Sequence, residues 1–461
     1  MSKGRQLSGE TAIDILIVGD GIAGCCAAIS AHEAGARVLV IDKAPSDVPH
    51  GNTAFSGGAF RRVSADYSQE SFYSDLLGVS GNKADPRVAR LLVDQSAEAQ
   101  NWLEMLGVHW TAETRFVGPT AESENRGTGL AAAIRGALRQ RPVSVLDRTE
   151  ALSLIREQDQ VVGVRVRNAD GGESEVRAGA VILASGGFGA NSEMVKRYIG
   201  AQASNLIYRG SPFNTGDGLR MAEALGAKLD WMDDFHGGLL HYGYKEYPEQ
   251  GAKSGMRHLQ GYEVGILVNK LGNRFVDEGE DVSLKTYVKF GKIIALTQPK
   301  GVAYVVFDAR SRDTVDPVYK GPGSKPIEAA SISELAATLE IPANALEKTI
   351  AEFNLGVRDG RCLSVTPPKT NFARPISVPP FCAHKVTGGM TMTFGGLRTE
   401  QTGEVLDVNG APIRGLFAVG EITTGLFYGN YAGGSSLTKC TILGRICGKA
   451  ATEYALHRRA H

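Results

Sequence analysis

The hydrophobic pattern opens with a strand, a turn and a helix. "IDILIV" (13–18) is an apolar run, "GDGIAG" follows it, and a small-residue segment with helical character extends to about Ala34, where Gly35 caps it. A second apolar run, Arg37 to Ile41, ends at Asp42 and Lys43. Strand, helix and strand in this order predict an α/β chain with a parallel sheet. Two later runs have the same outline. "AVILASGGFGAN" (180–191) predicts a strand ending in a Ser-Gly-Gly turn, and "GLFAVGEITTG" (415–425) predicts one ending in Val-Gly-Glu. "SISELAATLEIPANALEKTIAEFN" (331–354) predicts two helices, the first started by Ser331 and the second following the break at Pro342. The residues after "GNYAGG" (429–434) predict a C-terminal helix.

The first turn carries chemistry. Gly19 permits a tight bend, Gly21 lets backbone approach a pyrophosphate, and Gly24, after Ile22 and Ala23, lets helix and strand pack closely. Free N–H groups at the helix start favour the pyrophosphate. Asp42, about twenty residues on, is placed to accept ribose hydroxyls. Dinucleotide binding follows; the turn alone leaves FAD and NAD both open.

Composition narrows the class. The chain has 461 residues, enough for two or three domains with ordinary cores, and its 50 Lys+Arg balance its 50 Asp+Glu. That balance gives no support for nucleic acid or an anionic membrane as a partner. No stretch approaches the ~18 to 20 apolar residues of a membrane span. The first residues read as a disordered leader with no cleavage site. Six cysteines without metal or cluster spacing point to reduced cytoplasmic thiols and to no metal site. Glycine is abundant, at 57 residues, and six stretches carry clusters of it, which suggests repeated close approach of backbone to a ligand.

With "HGNTAFSGGAF" (50–60), "FNTGDGLRMAEALGAKL" (213–229) and "ILVNKLGNRFVDEG" (266–279) added to these motifs, nearly the whole chain resembles one group. It is similar to the two-dinucleotide-fold flavoproteins of the fumarate reductase, succinate dehydrogenase and 3-ketosteroid dehydrogenase superfamily. That resemblance implies FAD, bound non-covalently, on a Rossmann-like domain with an inserted α+β capping domain. The expected boundaries are 1–235 and 379–461 for the FAD domain and 236–378 for the cap, which closes over substrate. It also implies a cofactor set. Asn52, Thr53, Ser56, Gly57 and Gly58 resemble the loop near the flavin ring, and Ala184, Ser185 and Gly186 the turn lying against FAD. Gly420 and Glu421 resemble the carboxylate turn at the ribityl chain. Ser435, Ser436 and Leu437 resemble the helix start at the pyrimidine edge, where the helix dipole stabilises reduced flavin. Lys43 and Asp217 complete the set.

The reaction implied is hydride transfer between a substrate carbon and flavin N5, with a proton moved at the adjacent carbon. Fumarate reductases clamp carboxylates with arginines and histidines. Here Tyr431 stands in the loop where they carry an arginine, Thr391, Met392 and Thr393 stand where they carry histidines, and no arginine follows Arg274 for many residues. Those departures argue against fumarate reduction. Over longer stretches, including "VTGGMTMTFGGL" (386–397) and "NYAGGSSLT" (430–438), the chain looks closest to tricarballylate dehydrogenases, which form a C=C bond beside a carboxylate and pass electrons to a separate acceptor. Ser283-Leu284-Lys285 departs from that group where an arginine is expected. A 3-ketosteroid or cyclic-ketone dehydrogenase is the alternative; an electron-transfer or cobalamin-pathway flavoprotein is a further one. Tyr431 and Tyr287 are the leading catalytic candidates, with Thr391, Thr393 and His384 beside them. A phenol of pKa ~10 is a good donor and, if that value is lowered, a base. Arg209, His236, His241, Arg257, His258 and Lys285 are the cationic candidates for a carboxylate, and "HYGYKEY" (241–247) the substrate-facing cap segment.

Overall fold

Parallel strands carry the predicted turns to one edge of a sheet in this computed structural model, which describes residues 13–114, 120–247 and 257–459. The expected leader lies outside the described residues. Strand β1 (Ile13–Val18) pairs in parallel with β2 (Val38–Ile41), Ile15 opposite Val38, and on its other side with the strand Glu173–Leu183, Leu16 opposite Val181. That strand pairs in parallel with Pro412–Ala418, Leu416 opposite Val181. The carboxyl ends of all four therefore coincide, which brings Gly19, Asp42, Ala184 and Gly420 together, where open α/β sheets bind ligands.

Helix α1 (Ile22–Glu33) is buried from Ile22 to Ala31, and the C-terminal helix Ser435–Arg459 packs along it. Small residues permit that contact. A Cβ at Gly448 would lie 2.2 Å from the Ala27 carbonyl oxygen. The long helix thereby starts at the same sheet edge as the turns. The stretch 50–60, expected as a loop, contains a short helix, Gly51–Phe55, and a strand, Ala59–Arg61. Tertiary contacts hold it: Thr53 Oγ1 accepts the Ile22 N–H at 3.1 Å.

A second sheet is built around the long strand Phe381–Thr393. It pairs with Ile207–Tyr208, Phe235–His241, Val302–Asp308 and Ile327–Ala329, and Ile266–Asn269 extends the sheet from Val302–Asp308. The helices Ile332–Leu339 and Ala343–Gly356 fall where the pattern predicts them, Ser331 Oγ accepting the Glu334 N–H. Helix Ser283–Thr297 presses on glycines of the sheet: a Cβ at Gly237 would lie 2.3 Å from the Val288 carbonyl oxygen, and one at Gly291 2.3 Å from the Gly238 carbonyl carbon. This approach sets Tyr287, one residue before Val288, beside His236, one residue before Gly237. All six cysteines are free and buried. Among the described residues no helix is long and apolar enough to cross a membrane.

Candidate active site

The dinucleotide turn is shaped by contacts that exclude side chains. Gly19 has φ +108°, where a Cβ would also meet the Ala184 oxygen at 2.5 Å, and a Cβ on Gly24 would lie 1.9 Å from the Gly19 oxygen. Helix α1 starts at Gly21 with no cap from that residue and no acidic first turn; Thr53 takes the Ile22 N–H, and the N–H groups of Ala23 and Gly24 stay available to an anion. Asp42 accepts the Asp20 and Ala44 N–H groups at 3.0 and 2.8 Å. Lys43 pairs with Asp217 at 2.5 Å and also donates to Thr215.

Three separate segments converge on Glu421, the carboxylate expected at the ribityl chain. Its carboxylate accepts from Asn52 Nδ2 at 2.6 Å, Asn214 Nδ2 at 3.1 Å and the Thr393 N–H at 3.0 Å. Burial pushes its pKa up to about 7. Lys439, with its pKa lowered by burial to about 8, donates to the Gly420 and Thr423 carbonyls, holding the Glu421 turn from below. Ser56 accepts the Gly58 N–H and donates to the Thr53 carbonyl, closing the turn through Gly57. Ser185 Oγ, beside Ala184 and Gly186, is buried without a partner. An open helix start, glycines that no Cβ could replace and an unmet hydroxyl at the carboxyl edge fit a bound FAD.

Asp20, inside the turn, was missed by sequence reasoning. Arg135 grips it with two bonds at 3.0 and 2.9 Å, and His50 Nε2 bonds it at 2.8 Å while His50 Nδ1 bonds the Val48 carbonyl at 2.7 Å. Against the cost of burial, the His50 bond and the Arg135 charge hold the Asp20 carboxyl at about 2. Burial likewise opposes charge on His50, but Asp20 outweighs it and its pKa is raised. Asp20, Asp42 and His50 have ligand atoms near enough for a metal, yet Arg135 already occupies Asp20.

Tyr431 and Tyr287, more than a hundred residues apart in sequence, meet around His236. Tyr287 Oη lies 3.0 Å from His236 Nε2, its ring stacks on His258 at 4.0 Å, and the His236 ring meets Tyr431 edge-on at 4.8 Å. Tyr431 Oη accepts the Ser436 N–H at 3.0 Å, which ties this loop to the helix start, and Leu437 is buried in the next turn. Ser435 Oγ donates to the Ala432 carbonyl. Two further ties hold the loop: Asn430 donates to the Lys285 carbonyl at 2.9 Å, and Asp234, paired with Lys292 at 2.6 Å, accepts the Gly429 N–H. Arg61, fully buried and unforeseen, donates to the Gly433 carbonyl at 2.7 Å.

Electrostatics selects between the two roles open to the phenols and corrects the cationic expectation for two histidines. Neither phenol is acidified: burial pushes Tyr431 up to about 12 and drives Tyr287 higher still. Nor are His236 and His258 cationic. Burial, then the charge of Arg209, drives His236 far below its ordinary value and His258 to about 3. Arg209 is lowered by its own burial, and among the described residues neither it nor Arg257 has an ion-pair partner. Unmet polar atoms collect here: Arg209 Nε, His236 Nδ1, His258 Nε2, Thr391 Oγ1 and Asn430 Oδ1 are all buried without a hydrogen bond.

Other candidates lie apart. His384 sits opposite Val305, seven positions up the strand from Thr391, roughly 23 Å away at strand rise. It packs against His241 and Phe307, and burial lowers it to about 4. His241 and Tyr244 of the expected substrate-facing segment pack on Tyr319. Lys285 is half-exposed and paired with Asp281. Thr393 bonds Glu421 through its N–H, so its backbone serves the cofactor turn.

Residues 14–437 match the family model described as an FAD binding domain. The chain is 29% identical to a probable fumarate reductase, Ifc3, of Shewanella frigidimarina, over 96% of this chain and 75% of that one. It is 30% identical to the NADH:fumarate oxidoreductase of Klebsiella pneumoniae, again over 96% of its length but only 48% of that protein's. Among solved structures, a 3-ketosteroid-Δ4-(5α)-dehydrogenase of Rhodococcus jostii superposes with a TM-score of 0.77 at 25% identity, covering 97% of this chain and 99% of that one.

Proposed function

The chain belongs to the FAD binding domain family and is an FAD-dependent oxidoreductase acting on CH–CH groups, and on that footing we propose that its substrate is a carboxylate oxidised to the α,β-unsaturated acid. One observation carries this reading: Arg209, buried and without an ion partner among the described residues, acts on a cluster of buried polar atoms that lack partners. The donors of this set, Arg209 Nε first, are costly left unmet and would be satisfied by an anion. Bound FAD supplies the two-electron acceptor; both ring nitrogens of His50 are already engaged, which favours a non-covalent cofactor.

The chain's own residues do the rest. Arg209 binds one carboxylate, and Arg257 stands near enough to influence it and to serve a second. Tyr431, its oxygen already accepting from Ser436, keeps its own proton to donate toward a substrate oxygen. Tyr287 faces the carbon that loses a proton. The cap sheet and helix Ser283–Thr297 exclude water. Within the carboxylates, a tricarboxylate resembling tricarballylate is our leading candidate, with electrons passed to a separate acceptor, and the six free thiols fit a reducing, cytoplasmic setting.

A ketone substrate is the second reading, favoured by the same free Tyr431 proton and by the likeness to a ketosteroid dehydrogenase. A thermal-shift and flavin-absorbance screen over di- and tricarboxylates against cyclic enones separates the two. Carboxylates alone should shift both signals; a response to enones alone overturns the carboxylate reading.

A further inference from the structure

The neutral, un-acidified Tyr287 cannot take a proton unless it gives one up. We infer that His236 receives the phenolic proton of Tyr287 as Tyr287 takes a proton from substrate carbon, and that an anion seated at Arg209 makes this couple competent. The inference rests on the carboxylate reading above for its second half only; the Tyr287–His236 bond stands without it.

Geometry supplies the path. Tyr287 Oη and His236 Nε2 are 3.0 Å apart, an ordinary hydrogen-bond length, and His258 stacked on the phenol ring at 4.0 Å keeps it from swinging away. With the phenol as donor, the imidazole accepts at Nε2 and carries its own hydrogen on Nδ1, which has no partner. His236 is 7% exposed, so no solvent competes freely for Nε2.

The charges around His236 explain why the couple would be idle when empty. Lys292 from helix Ser283–Thr297 faces it, but Asp234 on the segment entering its own strand compensates that charge at 2.6 Å. Tyr431 and Phe394 offer rings, and His258 is neutral. Of the two cations that act on His236, Lys292 and Arg209, Arg209 has no ion partner among the described residues, and its field opposes a proton on His236. A carboxylate on Arg209 cancels that field.

The step balances. One C–H bond breaks, its proton forms an O–H bond on Tyr287, and the former phenolic proton forms an N–H bond on His236. The carbon's electron pair becomes the second bond of the alkene, and FAD, when bound, would supply the two-electron acceptor for the hydrogen that the neighbouring carbon loses with its electrons. His236 ends as imidazolium and Tyr287 as neutral phenol. His236 acts through Tyr287 and is thus a positioning residue that also holds the proton.

The test is nitrogen NMR of the FAD-loaded enzyme with 15N-labelled histidines, using citrate as the anionic probe and His236→Gln for assignment. In the free enzyme His236 should be neutral with the proton on Nδ1, and Tyr287→Phe should shift the Nε2 resonance. Saturating citrate should raise its protonation midpoint at least tenfold in proton affinity, and Arg209→Met should abolish the rise. A proton on Nε2 that ignores Tyr287→Phe, or a midpoint unmoved by bound citrate, overturns the inference. Failure of citrate to bind counts against the carboxylate reading instead, and the tautomer and the Tyr287→Phe response still decide the couple.

Discussion

Arg209→Met should move stability and binding in opposite directions. In the wild type the Arg209 Nε is enclosed without a hydrogen bond, and burial already lowers the proton affinity of the group. A buried donor left unmet costs ~1–3 kcal/mol. An apolar side chain of similar length removes that cost, so the ligand-free variant should gain about 1 kcal/mol, roughly 1 to 2 °C in melting temperature for a chain this long. The carboxylate loses its charged partner in the same substitution. Truncating one side of a buried charge pair costs ~2–5 kcal/mol, which weakens binding roughly 30-fold to several-thousand-fold. Thermal melts of the FAD-loaded protein, with and without citrate, and citrate titrations followed by flavin absorbance read both effects. A variant that melts lower when empty and binds citrate unchanged refutes the reasoning, because Arg209 would then be a structural residue.

Tyr431→Phe removes the acceptor of the Ser436 N–H and a donor toward substrate oxygen, so flavin reduction should slow about 10²-fold with FAD retained; unaltered turnover excludes the role. Arg274→Met strands the fully buried Glu278, paired at 2.6 Å, and should cost about 3–5 kcal/mol in urea unfolding. The Asp20–His50 bond predicts a pH effect. Because the folded pKa of His50 is raised, its contribution is complete below the unfolded value of about 6.5 and is lost as pH rises through the folded one. Melting temperature should therefore fall across that window, and Asp20→Asn should flatten the fall. Gly24→Ala sets a Cβ 1.9 Å from the Gly19 oxygen, so purified protein should emerge with little FAD, as its absorbance would report.

What the chain disclosed in advance was what short spacing encodes. The β1–α1–β2 unit, the Ser331 cap and the break at Pro342 rest on local periodicity and turn residues, and their elements appear where expected. The loop 50–60 did not, since its helix depends on Thr53 meeting Ile22 across the fold. Tyr431 and Tyr287 could be nominated by motif, yet their meeting around His236 depends on the glycine contacts between helix Ser283–Thr297 and the sheet. Its neighbourhood in sequence makes His384 a candidate, but strand rise carries it far from Thr391. Charge states were the least legible. Arg209, His236 and His258 all read as cationic candidates in the sequence, and burial lowers all three; the imidazoles, which start at about 6.5, lose their charge while the guanidinium keeps it. Arg135, Arg61 and Lys439 had no local signal, because their partners lie at Asp20, Gly433 and the Glu421 turn, reached only by folding.

The proposed reaction has a carboxylate surrender two electrons beside Arg209. Anaerobic mixing of the FAD-loaded enzyme with tricarballylate, other saturated carboxylates and cyclic ketones, followed at the flavin absorption band, tests it most directly. A carboxylate should bleach the band, and Arg209→Met should abolish that bleaching. Bleaching by a cyclic ketone with none by any carboxylate would contradict the proposed reaction.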